Sequence, residues 1–539
     1  MPGGFCHRLN RVPDLLHLAA AAPAAFPFLL DDASGQGCSV LFYAGPERLV
    51  RYADGALRGP GQGADFFGRL EDWYLGLRND SGEENASGLP FAGGWFLFIG
   101  YEMAAVIEPR LRLPANATGL PDAFAWRCPG AVVIRHAAAA DGAGPGAFAV
   151  AESAEVLEAI RDQVRDAPPG GDDAWPALHQ LEAEAPERFR HAVQRVLEYL
   201  RAGDVFQVNI SRRWNGRFED APDPIALYRR LRRSNPAPFA GLARWRSATV
   251  LSSSPERLLQ VRGDRIQTRP IAGTRPRGAD REQDVALSRE LIDNLKERAE
   301  HIMLIDLERN DLGRVCRPGS IEVNELMVVE SFAHVHHIVS NVRGVLSEAA
   351  TPVQAIKAVF PGGTITGCPK VRCMEIIAEL EQEGRGFYTG SMGYLGRDGS
   401  MDLNILIRSM LVEGDRFTFA PARASWRTPS QITNCRRPTT RPVDCCWRCR
   451  VRRGCRPMLD CLVNGELSAH LPASDRGLHY GDGVFETIAV FRGQIPVFAQ
   501  PGAFPKEVLE QLITQIRELD MDEVRAEYEK QLAEREGVA

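Results

Sequence analysis

The sequence has no surplus of basic residues, no long apolar run and few cysteines spaced for pairing, and each shortage closes off a class of function. Its 539 residues carry a formal net charge of −6, which argues against bulk binding to nucleic acid. The only apolar N-terminal stretch, Leu15–Leu30, is interrupted by His17, Pro23 and Pro27 and preceded by Asp14. It therefore reads as neither a signal peptide nor a membrane helix, which needs ~20 apolar residues in a row. Neither nucleic acid nor membrane is expected as a partner. Of twelve cysteines, half lie between Cys435 and Cys461. The others are scattered singly, as buried thiols of a reducing compartment are, and a cytoplasmic protein is expected. The 44% of hydrophobic residues suffices for more than one buried core.

Residues 1–165 mix short apolar runs with Gly/Pro breaks, and DAPPGGDDAWP (166–176) has the composition of a linker. A helix is predicted from Pro186, because Phe189, Val193, Val196, Leu197 and Leu200 recur at helical spacing and Gly203 stops the run. Strands and amphipathic helices alternate from there to about Phe419, with 185–420 read as one catalytic core. The tail 499–539 reads as two charged amphipathic helices, with Asp520 an N-cap between them.

Several short stretches carry chemistry. In LKERAEHIMLIDLERNDLGR (295–314), Glu297 and Glu300 stand three apart, so on a helix both carboxylates leave one face. Such a pair suits Mg²⁺, which keeps waters and takes one or two carboxylates; alone, it also describes a solvated charged face. The following IMLIDLERND reads as an apolar strand delivering polar groups to a site. SSSPERLLQV and TRPIAGTRPRG are strand-like segments whose polar groups are Glu256 and Thr274. HVHHIVSNVRG puts His334 and His336 on one face of a strand and His337 on the other; a zinc site is a weak reading of it, and one functional histidine among structural ones a better one. FPGGTITGCPKVRC, which contains Thr364, reads as a glycine turn opening a helix and an anion site, without the pattern of a nucleotide loop. Tyr388 and Arg408 complete the set, a strand arginine being a natural partner for a carboxylate.

In this order and spacing, SSSPER, RPIAGTRPRG, KERAEHIMLIDLERNDLGR, HHIVSNVRG, PGGTITGCPK and LNILIRS resemble the chorismate-utilising enzymes, which include anthranilate synthase component I and aminodeoxychorismate synthase component I. The resemblance covers roughly Phe26–Ala420. It implies an α+β fold of two stacked antiparallel sheets flanked by helices, with the N-terminal region built into the same structure. It further implies that Glu297 and Glu300 belong to a Mg²⁺ site holding the ring carboxylate of chorismate. Glu256 and His337 would act near the ring as acid/base or leaving-group partners, and Thr274, Thr364, Tyr388 and Arg408 would bind substrate. Ammonia would come from a glutamine amidotransferase partner.

Two features bear on which reaction is run. Ala272 stands where many aminodeoxychorismate synthases carry lysine, which favours anthranilate synthase. Residues 458–498, with DRGLHYGDGVFET, resemble the start of aminodeoxychorismate lyase, which favours the p-aminobenzoate branch of folate synthesis and outweighs Ala272. The lyase resemblance stops before the family's PLP-binding lysine, so no PLP chemistry is expected. A non-catalytic binding protein that kept the fold is a third reading.

Residues 421–457 break the pattern. There the family has a glycine turn and a helix bearing a second ExxE pair, whereas this chain has an Arg/Cys-rich stretch ending CCWRCRVRRGCRP. Its cysteine spacing is poor for zinc, and its basic residues show no period. Cysteine and tryptophan codons begin with TG, so a frame one base earlier turns each into Leu, Val or Met. From Gln431 onward that frame permits DHELPETHDKARGLLLAL, which restores an ExxE pair and an apolar helical run. A shift of reading frame is the preferred explanation. The stretch is expected to pack poorly and the chain to show weakened Mg²⁺ and chorismate binding and little turnover.

Overall fold

The computed structural model describes residues 5–79, 88–137, 144–166, 177–332 and 334–420, with three short strands at Cys461–Val463, Glu466–Ser468 and Ile488–Ala489. The linker, the Arg/Cys-rich stretch, the helical tail and nearly all of the lyase-like segment lie outside the described residues.

Two 11-stranded antiparallel sheets form the body. Both are assembled from early and late parts of the sequence. In the first, Phe28–Asp31 pairs with Phe239–Trp245 (Ala240 opposite Asp31); in the second, Gly94–Ile99 pairs with Ser391–Gly396 (Gly393 opposite Leu97). Side chains alternate across each strand, and strand Ala248–Ser254 of the first sheet shows the result. Val250 faces the second sheet, while Leu251 faces an outer layer that includes helices Leu15–Ala21 and Pro224–Ser234. Aromatic rings fill the space between the sheets. Phe28 and Phe96 stack with centroids 4.2 Å apart, and Phe124 stacks on Trp245 at 5.0 Å.

Helix Pro186–Ala202 forms as its periodicity predicts, with Val196, Leu197 and Leu200 buried and Gly203 in the left-handed region at φ 84°. IMLIDLERND differs from the strand reading. It continues one helix, Leu295–Leu312, capped by the Asn294 side chain accepting from the Glu297 amide at 3.1 Å. A short apolar run does not distinguish strand from helix by itself. Here His301, Leu304, Ile305, Glu308 and Leu312 recur at helical spacing and are buried. The glycine turn also differs. Gly363–Ile365 forms a 3₁₀ turn, and the next helix, Lys370–Glu381, starts only after Pro369. Its first residue, Lys370, is ion-paired with the buried Asp311, so the glycine turn is not that helix's N-terminus. Among the described residues no helix is long and apolar enough to cross a membrane, and Cys6, Cys38, Cys128, Cys316, Cys368 and Cys373 are free thiols.

Candidate active site

Strand Ile271–Pro276 pairs with strand Val335–Val345, setting Thr274 directly opposite His337. The His337 ring is 1% exposed. Its Nδ1 lies 3.0 Å from Thr274 Oγ1 and 3.3 Å from the Gly273 carbonyl oxygen, and its Nε2 lies 3.4 Å from Arg408 Nη2. A carbonyl can only accept and a guanidinium can only donate. The ring proton therefore sits on Nδ1, and Nε2 offers its lone pair to Arg408. Burial, and then the Arg408 charge, push the His337 pKa down to about 3; the ring is neutral.

The three histidines have different surroundings. His336, on the opposite face, contacts Ser331 Oγ at 2.7 Å and Asp284 Oδ1 at 2.9 Å, bracing helix Arg281–Asp293 against the sheet. His334 Nε2 donates to the Ser234 carbonyl at 3.0 Å. No group of three His, Cys, Asp or Glu side chains among the described residues could hold a metal, so the three histidines form no zinc site.

Arg408 lies between two strands at φ 50°, a conformation side chains other than glycine seldom adopt. Its carbonyl accepts from the Ser253 amide at 3.1 Å. A cleft lined by Asn235, Pro238, Pro255, Phe332 and His334 opens beside it. Glu256 sits at the turn between Ala248–Ser254 and Arg257–Arg262. Its amide donates to Ser254 Oγ at 3.2 Å and its carbonyl accepts from Ile405 at 3.0 Å. Burial raises its carboxyl pKa to about 8, with the Thr364 hydroxyl and Arg408 opposing and Glu308 adding to the rise. Glu256 thus keeps its proton at neutral pH.

The helix carboxylates have separate neighbours. Glu297 Oε1 accepts from Arg275 Nη1 at 2.7 Å. Its Oε2 would lie 2.2 Å from a Cβ at Gly273, whose φ is +67°; only glycine fits there. Glu300 Oε1 accepts from Gln207 Nε2 at 3.4 Å. Tyr388 is 2% exposed, with the Arg385 guanidinium 5.6 Å from its ring centroid and Arg385 also bound to the Ile365 carbonyl. Most of the predicted residues are neighbours, with Glu297 beside Gly273, Thr274 and Arg408 on His337, and Glu256 beside Arg408 and Thr364, whereas Glu300 contacts Gln207 and Tyr388 packs on Arg385.

Two residues join them that sequence reading did not single out. Gln207 is wholly buried, and its Oε1 has no hydrogen-bond partner among the described residues. Glu308 is 3% exposed, and its Oε2 is likewise unpartnered. Burial, reinforced by Asp311, raises its pKa to about 7. The signal for Gln207 is its place at the start of the strand after Gly203. For Glu308 it is the acid inside IMLIDLERND.

Unpartnered buried oxygens on Gln207 and Glu308 among the described residues mark a polar site that suits a ligand rather than a sealed core. Glu297 and Glu300, both half-buried on one helix face, fit a hydrated Mg²⁺, which needs few protein ligands.

The two raised carboxyl pKa values set a pH dependence of stability. Near pH 7 to 8 the unfolded chain has released both protons, since unperturbed glutamates titrate near 4.3. The folded chain still holds that of Glu256. Stability is therefore expected to fall with rising pH through this window, by at most about 1.4 kcal/mol per unit for this group. His337 is neutral in both states there and contributes little. Urea unfolding midpoints at the two pH values check this, with Glu256→Gln expected to flatten the change.

Residues 27–421 match the family model for chorismate binding enzymes. The chain is 51% identical over 226 residues to aminodeoxychorismate synthase component 1 of Bacillus subtilis, covering 42% of this chain and 48% of that protein. It is 38% identical over 400 residues to anthranilate synthase component 1 of Thermus thermophilus, covering 74% and 86%. The crystal structure of anthranilate synthase component I from Streptococcus pneumoniae TIGR4 superposes with a TM-score of 0.63 at 31% identity, over 72% of this chain and 86% of that one. With the model spanning most of its length and both sheets in place, the chain belongs to the chorismate binding enzyme family.

Proposed function

We propose that this chain is the aminating component of aminodeoxychorismate synthase, binding chorismate across the run from Glu297 to Arg408 and replacing a ring hydroxyl with ammonia. The observation that carries the reading is the pairing of a neutral His337 with Arg408 beside a protonated, buried Glu256. Arg408, steadied by the His337 lone pair, would take the carboxylate of the enolpyruvyl group, and Thr274 and Thr364 would supply hydroxyls. Glu297 and Glu300 would hold Mg²⁺, which when bound supplies positive charge against the ring carboxylate.

Glu256 has the proton a departing hydroxide needs. As ammonia bonds to the ring carbon and the C–O bond breaks, the hydroxide takes that proton and leaves as water. The excess proton of the attacking nitrogen then restores the Glu256 carboxyl. Gln207 Oε1, a buried acceptor beside Glu300, suits an N–H donor such as ammonia. His337, with Nδ1–H committed to Gly273, orients rather than protonates. A glutamine amidotransferase partner supplying ammonia and a cytoplasmic setting belong to the same reading; the six free thiols support the latter.

The choice of product rests on the lyase-like DRGLHYGDGVFET. Ala272, buried and without an amine, favours anthranilate synthase as the second reading. Incubation with chorismate, Mg²⁺ and ammonium separates the two. The expected product is non-fluorescent until aminodeoxychorismate lyase is added and then yields p-aminobenzoate; direct formation of fluorescent anthranilate would overturn the choice.

A further inference from the structure

Glu308 has no part in the chemistry above, yet it is an acid placed in the core with one oxygen unpartnered. Its Oε1 lies 3.4 Å from where a Cβ on Gly363 would stand, and Leu307 Cδ2 lies 2.3 Å from that point, so side chains of the helix press directly on the turn. Its carboxylate faces the Gly363 amide and the Thr268 hydroxyl. The next residue of the turn, Thr364, faces Glu256, and the Thr364 carbonyl accepts from the Asn209 side-chain Nδ2. The turn thus has a buried carboxyl group on each side.

We propose that Glu308 is a positioning residue for Glu256, bracing the Gly363–Thr364 turn from the helix side so that the Thr364 hydroxyl and the Glu256 carboxyl stay in register. The inference rests on the reading of Glu256 as proton donor. The charged groups facing Glu308 are Asp311, Lys370 and Glu256; those facing Glu256 are Glu308 and Arg408. Lys370 and Asp311 neutralise one another, with Arg314 adding to the positive side. A negative Glu308 therefore acts on Glu256 as a like charge, disfavouring its ionisation, against the pull of Arg408. Glutamine at 308 keeps an acceptor for Gly363 and Thr268 and removes the charge; alanine removes both.

The test is infrared titration of the full chain, following the carbonyl stretch of protonated carboxyl groups and assigning the Glu256 band by its loss in Glu256→Gln. Glu308→Gln is expected to move the Glu256 titration down by about one pH unit; an unchanged titration would overturn the proposal. Calorimetry with chorismate adds a second readout. Glu308→Ala is expected to weaken binding about 10-fold and Glu308→Gln less than about 3-fold, and equal affinities for wild type and Glu308→Ala would count against the brace. Should the alanine variant not fold, the glutamine titration still decides. A chain with the second ExxE pair restored in 421–457 that still fails to bind chorismate, while the Glu256 band shifts in Glu308→Gln, would sink the substrate reading and leave the coupling of the two acids standing.

Discussion

Arg408→Ala is expected to weaken chorismate binding by about 10²–10³-fold, the scale on which losing one partner of a desolvated charge pair is felt. Arg408 lines a cleft, and its Nη2 lies 3.4 Å from Nε2 of the neutral His337. Substitution also acts on the backbone. At φ 50° alanine keeps the left-handed strain and glycine relieves it, so Arg408→Gly should be more stable than Arg408→Ala by about 1 kcal/mol while binding chorismate equally poorly. Thermal unfolding beside a binding assay separates the two effects. A glycine variant that recovered affinity would show that the backbone, and not the charge, matters.

The second large effect concerns residues outside the described part of the chain. As it stands, the protein is expected to turn over chorismate feebly, because its sequence carries one carboxylate pair where the family pattern has two. Placing DHELPETHDKARGLLLAL in place of Ile432–Cys449 restores an ExxE pair, and turnover with ammonium and Mg²⁺ is expected to rise about 10–100-fold, the range over which support of a metal site alters activity. In that repaired chain Glu256→Gln should lower turnover by about 10²–10⁴-fold, as loss of a general acid does. Steady-state assays of the three proteins decide both points. Vigorous turnover by the unaltered chain would contradict the first, and activity surviving Glu256→Gln would contradict the second.

What the sequence made legible was local. Glu297 and Glu300 could be set on one face by counting along a helix, and Gly203 marked a helix end because the left-handed cap needs no side chain. Thr274 and His337 each stood out in their own segments, but their pairing depends on strand register, which one sequence does not specify. Glu308 was hidden for a different reason: an acid between Leu307 and Arg309 looks like part of a solvated face. Only the packing of the helix on the glycine turn shows it to be buried. The same packing explains why IMLIDLERND looked like a strand, since its apolar residues serve two neighbours at once, the sheet and the turn. Arg408 could be picked out by residue type as a candidate carboxylate partner. Its left-handed backbone and its place beside His337 could not.

The most direct test is a calorimetric titration of chorismate into the segment-repaired chain, with and without Mg²⁺, beside Arg408→Ala and Glu297→Gln/Glu300→Gln. Binding should be strong only with Mg²⁺, insensitive to Mg²⁺ once both glutamates are changed, and nearly lost without the arginine. Chorismate binding that ignores both the metal and Arg408 would contradict the account.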